Sequence, residues 1–208
     1  MSLPSIRCGP GVGTSPAPRH PERRRLDAVG PRTIWVTGVS GAGKSAVARR
    51  LATSGHEAAS TDGVEGLCRW VDGAGRTVRR PAHPDLAWLA CHHWVWDEAR
   101  LDRLLTAGRD RGVRTLFLCG HAANAFELAG RFDRSVLLRL DLATMLARLD
   151  DPRRGNDFGR AGRSREHVRA AFEGWQRHLE RRVDVVVDAT ADLPTVLARV
   201  IRAATADS

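Results

Sequence analysis

The sequence contains no run of eighteen or more apolar residues, so it has no helix able to span a bilayer and no membrane role is expected. It is nearly without lysine: of 33 basic residues only Lys44 is not arginine. The four cysteines, Cys8, Cys68, Cys91 and Cys119, lack the close pairs that zinc ligation needs, and no apolar stretch near the start marks a secretory leader. Free thiols in a reducing cytoplasm are therefore expected. Aromatic residues do not interleave with basic ones, which argues against a stacking platform for single strands. The net charge of +9 then reflects an Arg-, Ala- and Gly-rich composition, and nucleic acid is not an expected partner.

What is present suits one globular domain. Hydrophobic residues at 42% and charged residues at 27% lie close to the averages for soluble proteins, and 208 residues is too short to divide comfortably. Residues 1–30 carry Pro4, Pro10, Pro16, Pro18 and Pro21 without an apolar period, so a disordered tail is expected, followed by one domain over 31–208. The adjacent Cys91, His92 and His93 read as a half-buried helical segment rather than a metal site, because neighbouring side chains on a helix point apart.

From Thr33 onward short apolar runs alternate with amphipathic stretches. Strands are expected at Thr33–Thr37, His56–Ser60, Val113–Cys119, Val136–Leu140 and Val183–Asp188. Helices are expected at Lys44–Ser54, Trp94–Ala107, Ala123–Gly130, Leu142–Leu149, Ser164–Arg182 and Leu193–Ala204. Continuously apolar strands separated by helices imply parallel pairing with both sheet faces covered, hence a three-layer α/β fold with a five-stranded parallel sheet.

The segment Gly38-Val39-Ser40-Gly41-Ala42-Gly43-Lys44-Ser45 fits the P-loop pattern and sits after a buried strand and before a helix, as its mechanism requires. Glycines let backbone N–H groups approach phosphate oxygens, and the helix N-terminus adds partial positive charge. Lys44 is expected to reach the β/γ-phosphates of ATP and Ser45 to ligate Mg²⁺. A compact ammonium suits that task in a way that arginine does not, which gives the single lysine its meaning.

Absences narrow the class. A guanine-reading N-K-x-D motif needs a second lysine, and Leu116-Phe117-Leu118-Cys119-Gly120 ends without the acid that motor and helicase ATPases place there. The carboxylate expected nearest the phosphates is Asp62, at the end of the second strand, as a base for an acceptor hydroxyl, a ligand of Mg²⁺, or both.

The chain from about Thr33 to Ala204 resembles the shikimate kinase and nucleoside monophosphate kinase branch of P-loop kinases. Beyond the P-loop, Arg153-Arg154-Gly155-Asn156-Asp157-Phe158-Gly159-Arg160 is similar to the shikimate kinase lid, in which a Gly-Asn pair lies between two arginines. The resemblance implies a mobile lid over about 150–165, with Arg153 flanking adenine and Arg160 closing over the transferred phosphoryl group; Arg154 and Arg163 are the alternatives. Val187-Asp188-Ala189-Thr190 resembles the segment that borders adenine, so Asp188 and Thr190 join the nucleotide contacts, with Asp188 also suited to cap a turn. The resemblance also implies a monomer or a homodimer.

Two departures bear on the acceptor. Shikimate kinases carry two acids after the second strand, where this chain has Ser60-Thr61-Asp62, and a glycine-rich turn after the third, where it has Gly120, His121 and Asn124. These last three become candidate acceptor contacts in place of a shikimate site. Arg76, Arg79 and Arg80 suit a carboxylate or phosphate on the acceptor. Trp70, Trp88, Trp94 and Trp96 suit either ring stacking or packing of a helix or lid. The expected activity is phosphoryl transfer from Mg-ATP to a small molecule. The alternatives are a regulatory protein that binds nucleotide without an acceptor and a kinase acting on nucleic-acid ends.

Overall fold

The computed structural model describes residues 32–154 and 158–206, so the expectation of a disordered tail and the Gly-Asn pair of the lid segment fall outside the described residues. The elements in order are β1 (Arg32–Thr37), α1 (Lys44–Thr53), β2 (Glu57–Ser60), β3 (Cys68–Val71), β4 (Thr77–Val78), α2 (Leu86–Cys91), β5 (His93–Trp96), α3 (Glu98–Asp110), β6 (Thr115–Cys119), β7 (Arg134–Arg139), α4 (Leu142–Asp150), α5 (Gly162–Glu180), β8 (Val185–Asp188) and α6 (Leu193–Thr205).

Five strands form a parallel sheet in the order β2-β6-β1-β7-β8, confirming the expected architecture. Alternate side chains serve opposite faces, as strand geometry demands. Ile34, Val36, Phe117 and Cys119 join a cluster with Val47, Leu51, Met145, Phe172 and Val200 from the helices on one side. Trp35, Leu116 and Leu118 join Leu101, Leu105 and Leu128 on the other. The order places β1 and the loop after it centrally, with β6 on one side and β7 on the other.

Local chemistry starts the helices cleanly. Asp85, Asp97, Asp141 and Asp192 each accept a hydrogen bond from a backbone N–H in the first turn of the helix that follows. In α6 the apolar positions Val196, Val200, Ala203 and Ala204 recur at helical spacing and are buried.

A second sheet, antiparallel and ordered β4-β3-β5, was not expected. The stretch expected to run as one helix over Trp94–Ala107 is divided: His93–Trp96 is a strand paired with β3, Asp97 caps, and α3 begins at Glu98. The expected helix over Ala123–Gly130 is replaced by turns ending in a 3₁₀ turn at Ala129–Arg131. Here Asn124 accepts from the N–H of Trp96 at 2.9 Å and donates to its carbonyl at 2.9 Å, so tertiary bonding displaces helix formation. Cys68 and Cys119 are free thiols as expected; Cys91 departs from that expectation and is disulfide-bonded. Among the described residues no helix is long and apolar enough to cross a membrane.

Candidate active site

The loop between β1 and α1 wraps a space rather than filling it. A methyl group on Gly38 would meet Ala42 Cβ at 2.8 Å and the Leu138 carbonyl at 2.9 Å, so the loop passes β7 at a distance only glycine permits. Gly43 caps α1 with φ of 95°, and no side chain caps the first turn of that helix. Its amides are therefore left for an anion. Ser40 through Val47 line a cavity of about 370 Å³, bordered by Ala189 and Ala191 after β8 and by Arg148 and Arg154.

Lys44 Nζ donates to the carbonyls of Gly38 at 2.8 Å and Val39 at 2.9 Å, which holds the ammonium at the mouth of this cavity. Burial pushes its pKa down to about 8, partly opposed by the nearby Asp62 carboxylate. Ser45 is exposed, its hydroxyl 3.2 Å from that of Ser60, which stands where the resemblance placed an acid. Cys119, at the end of β6, is buried, and desolvation raises its thiol to about 12, so this strand supplies a neutral group.

A second cavity of about 510 Å³ opens beside the first. Asp62, exposed in the turn Thr61–Gly63 after β2, borders both, as do Ser40 and Lys44. Its Oδ1 accepts from the indole of Trp94 at 3.3 Å. The larger cavity is walled by Trp70 and Trp94 of the small sheet, Phe158, Trp175 of α5, and several histidines including His121. His121 stacks on Trp35 with centroids 6.1 Å apart, shares a 3.0 Å hydrogen bond between Nδ1 and the Thr37 hydroxyl, and meets Trp175 edge to face. Desolvation depresses its pKa to about 3, so the ring is neutral.

Of the expected site residues, the structure brings together Gly38, Ser40, Gly41, Ala42, Gly43, Lys44, Ser45, Asp62, Arg80 and His121 around the two cavities. Others it does not. Gly120 is buried against Thr61, where an added methyl would lie 1.6 Å from the hydroxyl, and its carbonyl accepts from Trp35; it packs rather than contacts an acceptor. Asn124 is spent on Trp96. Arg76 pairs with Asp72 at 2.8 Å in the β3–β4 turn, and Arg79 is exposed outside either lining.

Arg153 is exposed and paired at 2.8 Å with Asp151, which lines the smaller cavity, while Arg153 itself does not. Arg160 lines neither cavity. Asp188 accepts from the amide and hydroxyl of Thr190 at 3.0 and 2.7 Å, folding the turn that presents Ala189 and Ala191. Sequence reasoning missed Arg148, which donates to the Ala189 carbonyl at 2.7 Å and reaches the Ala42 carbonyl at 3.4 Å, bridging that turn to the P-loop. Trp175 was also missed; an apolar position amid the charged residues of α5 was the available signal.

Three similar solved structures are kinases. A sugar kinase from Janibacter sp. is 19% identical, with 83% of this chain and 94% of that chain covered and a TM-score of 0.50. Shikimate kinase from Bacteroides thetaiotaomicron is 15% identical over 82% and 95% of the two chains, with a TM-score of 0.43. Deoxyadenosine kinase from M. mycoides is 13% identical over 82% and 97%, with a TM-score of 0.42. No protein-family model and no curated protein matches the chain. The chain has the α/β three-layer fold of P-loop kinases, which the first of these likenesses and the strand order define.

Proposed function

We propose that the protein is a cytoplasmic kinase that transfers the γ-phosphoryl group of Mg-ATP to a hydroxyl of a small molecule. The observation that carries this reading is that one carboxylate, Asp62, borders both the P-loop cavity and the larger cavity beside it. A protein that only held nucleotide would have no need of a second cavity meeting the first at an acid and at Lys44.

ATP fits the smaller cavity through the glycine-lined loop and the uncapped amides of α1, with Lys44 released from the Gly38 and Val39 carbonyls to the phosphates. An acceptor hydroxyl in the larger cavity gives its proton to Asp62 as its oxygen bonds to the γ-phosphorus, and the bond to the bridging oxygen breaks to leave ADP. Ser45 and Asp62 would hold Mg²⁺, and the oxygen donors they present, with the Ser60 hydroxyl close by, fit its chemistry. Held there, the ion would supply charge neutralisation on the phosphoryl oxygens.

The test is acceptor-stimulated ADP release. Asp62→Asn is expected to keep ATP affinity and to lose transfer by about a hundredfold or more, while Lys44→Ala loses both. Equal transfer by Asp62→Asn and wild type would remove Asp62 from the mechanism. ATP binding with no acceptor effect across nucleosides, sugar acids and hydroxylated antibiotics would move the assignment to a nucleotide-binding regulator.

A further inference from the structure

Folding removes most arginines from the acceptor side and puts rings in their place. Arg69 is held by Asp97 at 2.5 Å and Arg76 by Asp72 at 2.8 Å, while Arg79 is exposed outside the lining. Only Arg80 of this group borders the larger cavity, and its guanidinium lies 5.7 Å from the Phe158 ring centre. A carboxylate or phosphate on the acceptor would thus find one guanidinium already set against an aromatic face.

The rings form a connected surface. Trp70 on β3 and Trp94 on β5 are cross-strand partners with centroids 5.5 Å apart at 52°, and Phe158 lies 6.5 Å from Trp70 at 48°. At these spacings the rings touch one another and form one continuous aromatic wall of the larger cavity, on which a planar group makes more contact than a polyol. The cavity wall also carries a polar atom without a partner: His121 Nε2 is buried and has no hydrogen bond, although Nδ1 of the same ring is satisfied. A buried imidazole nitrogen left in this state is completed by one hydrogen-bonding group of a ligand.

Resting on the kinase reading for the position of Asp62, we propose that the acceptor is an uncharged alcohol bearing a planar aromatic or heteroaromatic ring. The ring lies on the wall formed by Trp70, Trp94 and Phe158, its polar edge meets His121 Nε2, and its hydroxyl reaches Asp62.

The experiment measures binding separately from turnover. Calorimetry on the full chain with ADP present compares adenosine, thymidine and benzyl alcohol with gluconate, shikimate and glycerol 3-phosphate, and ADP release is then measured with ATP. A ring alcohol is expected to bind best, with Trp70→Leu weakening it about tenfold and Trp70→Phe retaining most of the affinity. ADP affinity of each variant reports that the fold is intact. Tighter binding and phosphorylation of an aliphatic acid or phosphate would overturn the acceptor class and leave the kinase reading standing. A ring alcohol that binds in a Trp70-dependent way without being phosphorylated would uphold the ring site and overturn the kinase reading. Binding of no ring compound would overturn the proposal.

Discussion

The Asp62 carboxylate accepts a hydrogen bond from the indole Nε1 of Trp94 at 3.3 Å, which ties the turn after β2 to the antiparallel sheet. The group assigned to proton transfer is thus oriented by a wall of the acceptor cavity. Trp94→Phe keeps a ring and removes the donor, and is expected to lower kcat about fivefold with little change in the KM for ATP. Steady-state kinetics checks this; an unchanged kcat would show that Asp62 is oriented without the indole.

Lys44 gives a pH signature. Its pKa falls from 10.5 to about 8 on folding, chiefly through burial, so between those values the folded protein holds fewer protons than the unfolded chain. Stability without nucleotide therefore rises as the pH climbs from about 8 towards 10.5, and the cost of burying the charge is fully present below that window. Nucleotide phosphates favour the charged ammonium, so ATP binding near pH 8.5 is expected to take up a fraction of a proton. Calorimetry in two buffers of different ionisation enthalpy measures it, and equal heats would contradict the assignment.

His121 acts at the other end of the scale. The folded ring has a pKa of about 3 against 6.5 for the free group, so the unfolded chain binds the extra proton between them. Stability from this residue is complete above about pH 6.5 and is lost as the pH falls towards 3. His121→Gln is expected to flatten that part of the denaturation profile. Parallel slopes for variant and wild type would show that another group is responsible.

Gly120 and Thr61 form the tightest approach beside the site. A methyl at Gly120 would lie 1.6 Å from the Thr61 hydroxyl oxygen and 2.7 Å from its Cβ. Gly120→Ala is expected to cost about 1–3 kcal/mol or more, measured by chemical denaturation. Adding Thr61→Ala should recover part of the loss, because it removes the nearest atom and leaves the Cβ in place. No recovery would place the strain elsewhere.

The parallel sheet was legible because strands buried on both faces must be apolar throughout, and each except β6 and β7 is separated from the next by helix with its own period. Boundaries shifted by a few residues at most sites. The antiparallel sheet was not legible: β3 and β4 are short, and His93-Trp94-Val95-Trp96 satisfies either period until it meets β3 in register. Asn124 looked available for an acceptor because nothing local shows that both its amide groups are taken by Trp96.

By itself, the sequence determined the P-loop segment, since its glycines, Lys44 and a helix start are contiguous, and it placed Asp62 at the strand end beside it. Tertiary structure decided which arginines face a cavity. A guanidinium on a long side chain goes to whichever carboxylate or carbonyl the fold presents: Asp72 for Arg76, Asp151 for Arg153, the Ala189 carbonyl for Arg148. It also decided that Trp70 and Trp94 wall the larger cavity together, because they become neighbours only when two strands, separated in sequence by β4 and a helix, pair.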